Sequence, residues 1–469
     1  MKQGIKIFLL IIGLLPCFHL FGLNDSLCNG KKGFPNKISL EPPMSSSNGS
    51  ILMPIASLEI ESGSNAVPLS MISKFAFGGY ISPENMNSYQ SLLTTSNRMG
   101  ANQEYRLTLY PIIGIERNKN LSLKTIELLI QDVQGANFTQ DAFRMFFQGN
   151  TNYLGQTLNA DNNDIEAWRN RLVRFVFNTK SKFFGFAINP SIQFGQCLSY
   201  TRISTKDIKL TSDQLGDKVD FSGSGYFAST GYSFGGNGYG LQLGLDLKKS
   251  ILQANGLLTN IEFKVQNIGF YSFSDVSVTG KDAIWNANGQ GLTPDGYQNS
   301  KPLNLTAVNI NASDLRFGSW FTRQKDSIVS KLNLTDSKRR GMIMSPFTIY
   351  AGVDFRNRNN FNAKLYNQLI SFKYINVIGY MPRLNYMATF KGKFNSKKNN
   401  KAAPVFYQVG ASVGGFDNFD INAGLILNAL NFKGKPLVWG INLMGIESFV
   451  NPSKWHGGGI TMQIGYLIF

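Results

Sequence analysis

The sequence predicts an all-β chain folded as a transmembrane antiparallel β-barrel, and three observations predict it. Stretches of two-residue alternation recur along most of the chain and are long enough for a tilted bilayer crossing, which needs about 9–11 residues. The apolar sets in these stretches carry no charge, whereas the opposite faces hold Asp246, Lys248, Glu262, Lys264, Asp354, Arg356, Asp420 and many glycines. Mean hydropathy is slightly negative, −0.12, although 13% of residues are aromatic; lipid-facing apolar side chains are diluted by polar lumen side chains of the same strand. A soluble sandwich also alternates, but it rarely needs so many long strands with such small polar partners.

The first 22 residues, MKQGIKIFLLIIGLLPCFHLFG, place Lys2 and Lys6 ahead of an uncharged apolar run, which reads as a secretory signal over residues 1–22. Leu14-Leu15-Pro16-Cys17 is a poor lipoprotein box because Pro16 directly precedes the cysteine. Removing the two lysines lowers the formal charge of +17 to about +15. No basic run or aromatic RNA-binding motif accompanies that charge, so a rim or lumen facing anionic lipopolysaccharide or acidic solutes is expected in preference to a nucleic-acid partner. No later run of about 18 uncharged apolar residues occurs, so helical membrane spans are not expected.

Residues 23–67 are rich in Asn, Ser, Gly and Pro, with a short alternating piece at Ile55 to Ile60. They read as an extended N-terminal segment, either a lumen plug or a periplasmic tail, leaving 68–469 as the barrel. Strand signals start at Ser73 to Gly78 and strengthen where Tyr105, Leu107 and Leu109 alternate with Arg106, Thr108 and Tyr110. Asp141 to Phe147 changes period and predicts a short inserted helix after a Thr139 cap. Alternation returns at Val173, Phe175 and Phe177 against Arg174, and then comes the cleanest stretch, Lys182 to Gly195. There Phe184, Phe186, Ile188, Pro190, Ile192 and Phe194 oppose Gly185, Ala187, Asn189, Ser191, Gln193 and Gly195.

The later half repeats the pattern. Tyr239 to Leu247 alternates, as does Ile261 to Val265, after which the phase slips to Ile268 and Phe270 as a bulge would produce. Asp275 to Pro302 reads as a polar connection. Ala312 to Leu332, followed by a basic turn at Lys338-Arg339-Arg340, reads as a long rim connection containing an amphipathic helix. Phe347 to Phe355, Leu384 to Phe390, Val405 to Val413, Phe419 to Leu427, Leu437 to Leu443 and Ile460 to Ile468 complete the strands. Aromatics such as Phe184, Phe194, Tyr239, Phe347, Phe355 and Trp439 are expected in interfacial girdles.

No motif carries chemistry, so no catalytic, cofactor or metal residues are assigned, the substrate-binding residues stay open, and no enzyme is expected. Gly235 to Gly240 leads into a strand with no following helix, which favours strand curvature over phosphate binding. Asp161 to Glu166 lacks the glycine a calcium loop needs and reads as a solvated turn. His456, the one histidine beyond the signal, lacks an associated serine motif and reads as a rim residue. Cys28 and Cys197 can pair in an oxidising compartment, but two cysteines this far apart define no framework.

Several stretches resemble a known family. They are Phe138 to Phe143 with Gln148-Gly149-Asn150 and Gly155-Gln156, Gly238 to Gly244, Pro346 to Asp354, and the closing NPSKWHGGGITMQIGYLIF. They look like an uncharacterised family of outer-membrane barrels from Bacteroidota, distantly similar to the long-chain fatty-acid channel class. A terminal strand ending in Phe469 also resembles the signal read by the barrel-assembly machinery. The resemblance implies roughly 14 strands (12–16) with an N-terminal segment near the lumen, an outer-membrane location, and no known reaction. It motivates two functional expectations. One is a channel for a small hydrophobic or amphipathic ligand; the other is a non-transporting accessory or scaffold for secretion or motility proteins of a type IX-like assembly.

Overall fold

The computed structural model describes residues 51–68, 70–71, 79–81, 83–110, 121–147, 153–212, 214, 219–230, 233, 235–253, 257–279, 285–292, 308–310, 336–357, 365–394, 403–432, 435–450 and 456–468. Fourteen antiparallel staves close into a barrel. In chain order they are β1 (Ile51–Ser64), β2 (Asn97–Leu109), β3 (Leu121–Phe138), β4 (Asn163–Thr179), β5 (Phe186–Ser212), β6 (Gly238–Leu252), β7 (Leu257–Thr279), β8 (Thr348–Asn357), β9 (Leu365–Ile375), β10 (Met381–Phe394), β11 (Ala403–Gly415), β12 (Phe419–Phe432), β13 (Lys435–Met444) and β14 (Gly457–Ile468). β1 closes the ring by pairing with both β14 and β2, leaving no free edge in a medium that cannot hydrogen-bond one.

The inside-out polarity of the alternation is borne out along the staves that follow. On β5, Ile192 and Phe194 are exposed on the outer wall while Ser191 and Gln193 are buried within. Tyr239, Leu241 and Leu243 on β6, and Tyr407, Val409 and Val413 on β11, likewise face outward, with Gln242, Gln408 and Ser412 inside. On β7 the phase slips as the sequence predicts. Asn267 takes a left-handed φ of 66°, the β6 register shifts between Leu243 and Leu245, and the outward set passes from Phe263 to Ile268 and Phe270.

Four expectations need correction. The barrel begins at Ile51, not residue 68, because β1 supplies a closing stave from within the 23–67 stretch; its alternating piece at Ile55 to Ile60 was the signal. Lys182 to Gly195 is not one strand: Phe184 (φ 48°) and Gly185 (φ 80°) form a tight two-residue hairpin turn, whose double positive φ matches strand twist. Asp275 to Pro302 is partly strand, since β7 continues to Thr279 and a strand spans Trp285–Leu292. Lys338-Arg339-Arg340 lies in a strand, Asp336–Met344, which continues the β8 stave along the upper part of β7. The helix over Asp141 to Phe147 is present as α2 (Gln140–Phe147), following α1 (Pro83–Gln90). Thr139 Oγ1 accepts from Ala142 N–H at 3.2 Å, as a cap does.

The signal at 1–22, residues 23–50 with Cys28, the piece Ser73 to Gly78, residues 312–332 and Phe469 lie outside the described residues. Both barrel termini lie at one rim, where Ile51 pairs with Ile468 and where the hairpin turn at 184–185 and the paired strand ends Phe432 and Lys435 also lie. Long connections, 65–96, 139–162 and 280–335, leave the opposite rim. On that side the sheet rises well above the apolar belt, with β5 and the strand Val219–Ser229 paired beyond it.

Candidate functional site

The interior is filled by polar side chains that reach one another across staves. Arg174, 2% exposed, donates to Glu127 (2.8 Å), Gln193 (2.9 Å) and the bulge residue Asn267 (3.0 Å), which ties β4 to β3, β5 and β7. A guanidinium can do this because its donors form a rigid fork. Nearer the long-connection rim, Arg383 on β10 donates to Glu61 on β1 at 2.6 Å, to Ser412 at 2.9 Å and to Asp420. Lys373 on β9 pairs with Glu59 and reaches Glu61 at 3.7 Å. β9 and β10 stand nearly opposite β1 in the ring, so these ion pairs brace the barrel across its width.

Above this layer, a row of glycines forms a seat. Gly457 on β14, Gly63 on β1, Gly100 on β2 and Gly135 on β3 are successive register partners, and the next residue in the row is Glu166 on β4. Two turns fold inward onto this bare backbone. Residues 416–418, between β11 and β12, put Asp417 against Gly63 and Gly457 and the Phe416 ring against Gly100 and Gly135. Residues 376–380, between β9 and β10, put the Ile378 carbonyl against Gly135, while Glu166 accepts a hydrogen bond from the Ile378 N–H. A Cβ at Gly100 or Gly135 would collide with these groups. Arg98 anchors the first turn, donating to the Asp417 carbonyl (2.9 Å) and to Asn418 Oδ1 (2.7 Å).

The seated turns carry Tyr380 and Phe416 into an aromatic cluster with residues of the wall. Trp168, Tyr200, Tyr271, Phe273, Tyr380 and Phe416 are all at most 5% exposed. Trp168 and Tyr200 have ring centroids 4.4 Å apart, and Tyr380 meets Phe416 edge-on at 4.9 Å. This combination of packed rings and a backbone-seated closure that supplies two of them is the candidate site.

Asp417 is buried outside the strands, and loss of solvation, a hydrogen bond to Asp420 and that residue's charge push its carboxyl well above the usual carboxylate range. Arg383 acts against the shift and Glu61 adds to it.

The sequence marked few of these residues. Gln193, Lys264 and Asp354 do face the lumen, and so does Arg106, paired with Glu104. The lumen leaves no free room at Ser191 or Gln408, which are buried at 6% and 4% exposure. Asp161 to Glu166 is not a solvated turn, because β4 starts at Asn163 and both Asn163 and Glu166 are buried. Gly238 and Gly240 do begin a strand. His456 lies just before β14, its carbonyl accepting from Ser64 N–H at 2.8 Å, and burial lowers its pKa. Cys197 is buried beside the aromatic cluster. The glycine row was invisible in sequence because its members come from four separate strands and only register aligns them.

No protein-family model and no curated protein matches the chain. Among solved structures, it is similar to a ΔS2S3 mutant of the TodX monoaromatic hydrocarbon channel (10% identity, 88% of this chain and 89% of that one, TM-score 0.37). It is also similar to a Pseudomonas aeruginosa FadL homologue (7% identity, 88% of each chain, TM-score 0.35) and to the β domain of the Bordetella autotransporter BrkA (7% identity, 88% and 98%, TM-score 0.29).

Proposed function

We propose that this barrel sits in an outer membrane and is a gated route for a small apolar or amphipathic molecule, with the turns 376–380 and 416–418 as the gate. The observation that carries the reading is the closure itself. Two turns rest on glycine backbone and pack Tyr380 and Phe416 against the wall residues Trp168, Tyr200, Tyr271 and Phe273, so they can lift without breaking the staves' hydrogen-bond ladders. The long-connection rim faces outside and the short-turn rim faces the periplasm, following the usual asymmetry of such barrels.

Gly135→Ala tests the gate. A methyl there meets the Ile378 carbonyl and the Phe416 ring, and overpacking of this kind costs about 1–3 kcal/mol. Since about 1.4 kcal/mol is tenfold in a population, entry of a fluorescent fatty acid into proteoliposomes should rise roughly tenfold, with heat-modifiable gel mobility preserved. Unchanged uptake from a folded variant would remove the gate from consideration.

Asp417 gives the gate a pH dependence. Its folded pKa is raised, so its stabilising contribution is fully present below the unfolded value of about 3.9 and is lost as pH rises through the folded value. The groups facing it are Asp420, Glu61, Arg383 and Arg98. Uptake should therefore be lower in mild acid than at neutral pH, and Asp417→Asn, which mimics the protonated carboxyl, should hold uptake low and flatten the profile.

The ion pairs bracing the lumen favour a second reading, a closed accessory barrel that binds secretion or motility proteins. Purification in mild detergent separates the two. Stoichiometric co-purifying proteins together with unchanged uptake in Gly135→Ala would favour the scaffold.

A further inference from the structure

On the outer wall, three β-structural features coincide. β6 begins only at Gly238, and above it the strand Val219–Ser229 takes its place between β5 and the upper part of β7. β7 carries an irregularity against the strand Asp336–Met344, where the register shifts between Phe273 and Val276, and a bulge bends the strand it occupies. Gly341, on that strand, has nothing within 4 Å of where a side chain would begin. The result is a groove of about 700 Å³ whose lining includes Tyr239, Ser272, Ser274, Arg340 and Met342.

Register fixes the groove's height. The outward row Val173, Phe194, Leu241, Phe270 and Met344 is apolar across five neighbouring strands. The next row up, Arg171, Gln196, Tyr239, Ser272 and Met342, is mixed, and Arg340 and Ser274 stand above it. The groove thus straddles the boundary between the apolar belt and the polar rim, on the side of the long connections. Its lower part offers the exposed Tyr239 (63%) and Met342 (72%); its upper part offers a guanidinium and hydroxyls.

We infer that this groove is a docking site for an anionic, phosphate-bearing bilayer lipid of the leaflet at the long-connection rim, with the phosphate on Arg340 and an acyl chain along Met342 and Tyr239. Charge and polarity choose the occupant together. Arg pairs bidentately with phosphate oxygens, the tyrosine ring suits the interface, and the exported chain's formal charge of about +15 favours an anionic lipid over a zwitterionic one. A soluble anion would have no use for the apolar lower half.

The test uses the full exported chain, purified in mild detergent and incubated separately with diphosphoryl lipid A and with phosphatidylcholine; native mass spectrometry counts retained lipid. The wild type should retain lipid A and little phosphatidylcholine. Arg340→Glu should lower lipid A retention about fivefold or more, Arg340→Lys should lose less, and Lys209→Glu, the same charge change at an exposed position on β5, should leave it unchanged. Heat-modifiable mobility checks that each variant is folded, and Tyr239→Ala supplies an independent reduction if Arg340→Glu does not fold. Equal losses in Arg340→Glu and Lys209→Glu, equal retention of phosphatidylcholine, or displacement of lipid A by inorganic phosphate alone would overturn the assignment.

Discussion

Arg383→Leu is expected to destabilise the barrel by about 3–5 kcal/mol, the loss typical when one partner of a buried ion pair is removed and the other charge is stranded. Arg383 is the shared donor to Glu61, Ser412 and Asp420, and its side chain is 6% exposed beside acids at 5% and 2%. With the guanidinium gone, Glu61 keeps Lys373 at 3.7 Å, while Asp420 is left facing Asp417. Guanidinium titration of the chain folded into lipid vesicles measures the loss. Combining Arg383→Leu with Glu61→Gln and Asp420→Asn should recover a substantial part of it, because buried charges replaced together can be nearly neutral. A loss below about 1 kcal/mol, the range of exposed pairs, would mean that water reaches this layer and that the ion pairs do not brace the barrel.

The brace and the seat act on the same turns. Arg383 lies two residues after β10 begins at Met381, directly after the turn 376–380, and Asp420 lies just after the turn 416–418. Weakening the brace should therefore also loosen the proposed gate, and Arg383→Leu is expected on that proposal to raise uptake as well as lower stability. Gly135→Ala should raise uptake with a smaller loss of stability, since the clash is at the seat and the staves keep their pairing.

Much of the wall was legible in the sequence, because alternation is a local signal and lipid enforces it at every outward position. Ile192, Phe194, Leu241, Val409 and Val413 face out as their parity predicts, and the slip at Asn267 could be read from the phase of Ile268 and Phe270. What alternation could not locate were features set by φ or by pairing. The Phe184-Gly185 hairpin lies inside the most regular stretch because the pattern continues through the turn while the backbone reverses. In sequence β1 resembles a plug or tail because Pro54 and several small polar residues dilute its signal, and only β2 and β14 on either side define it as a stave. The candidate site was hidden for the same reason. Its glycines are far apart in sequence, Phe416 and Ile378 lie in short turns with no motif, and the contact joins opposite sides of the ring.

Arg substituted for Val409 is expected to cost about 2–4 kcal/mol near the bilayer midplane. Val409 is 53% exposed on the outer wall of β11, and its register partners are Ala388 and Ala423, so the new guanidinium would meet hydrocarbon with no acid beside it. Gln408, one residue away, points inward at 4% exposure and donates to Thr389 at 3.3 Å. With no free space around it, Gln408→Arg is not the mild change an open lumen would make it; overpacking should cost about 1–3 kcal/mol. The two positions separate cleanly when the new side chain is apolar. Val409→Leu should be close to neutral, because lipid accepts either side chain, whereas Gln408→Leu should destabilise by about 1–3 kcal/mol through the partner it leaves unsatisfied. Denaturant titration in vesicles of defined thickness reads all four variants. If Val409→Arg and Gln408→Leu are both silent, the outer face of β11 is not in contact with lipid and its inner face is not packed, and the inside-out polarity of the barrel would have to be abandoned for that stave.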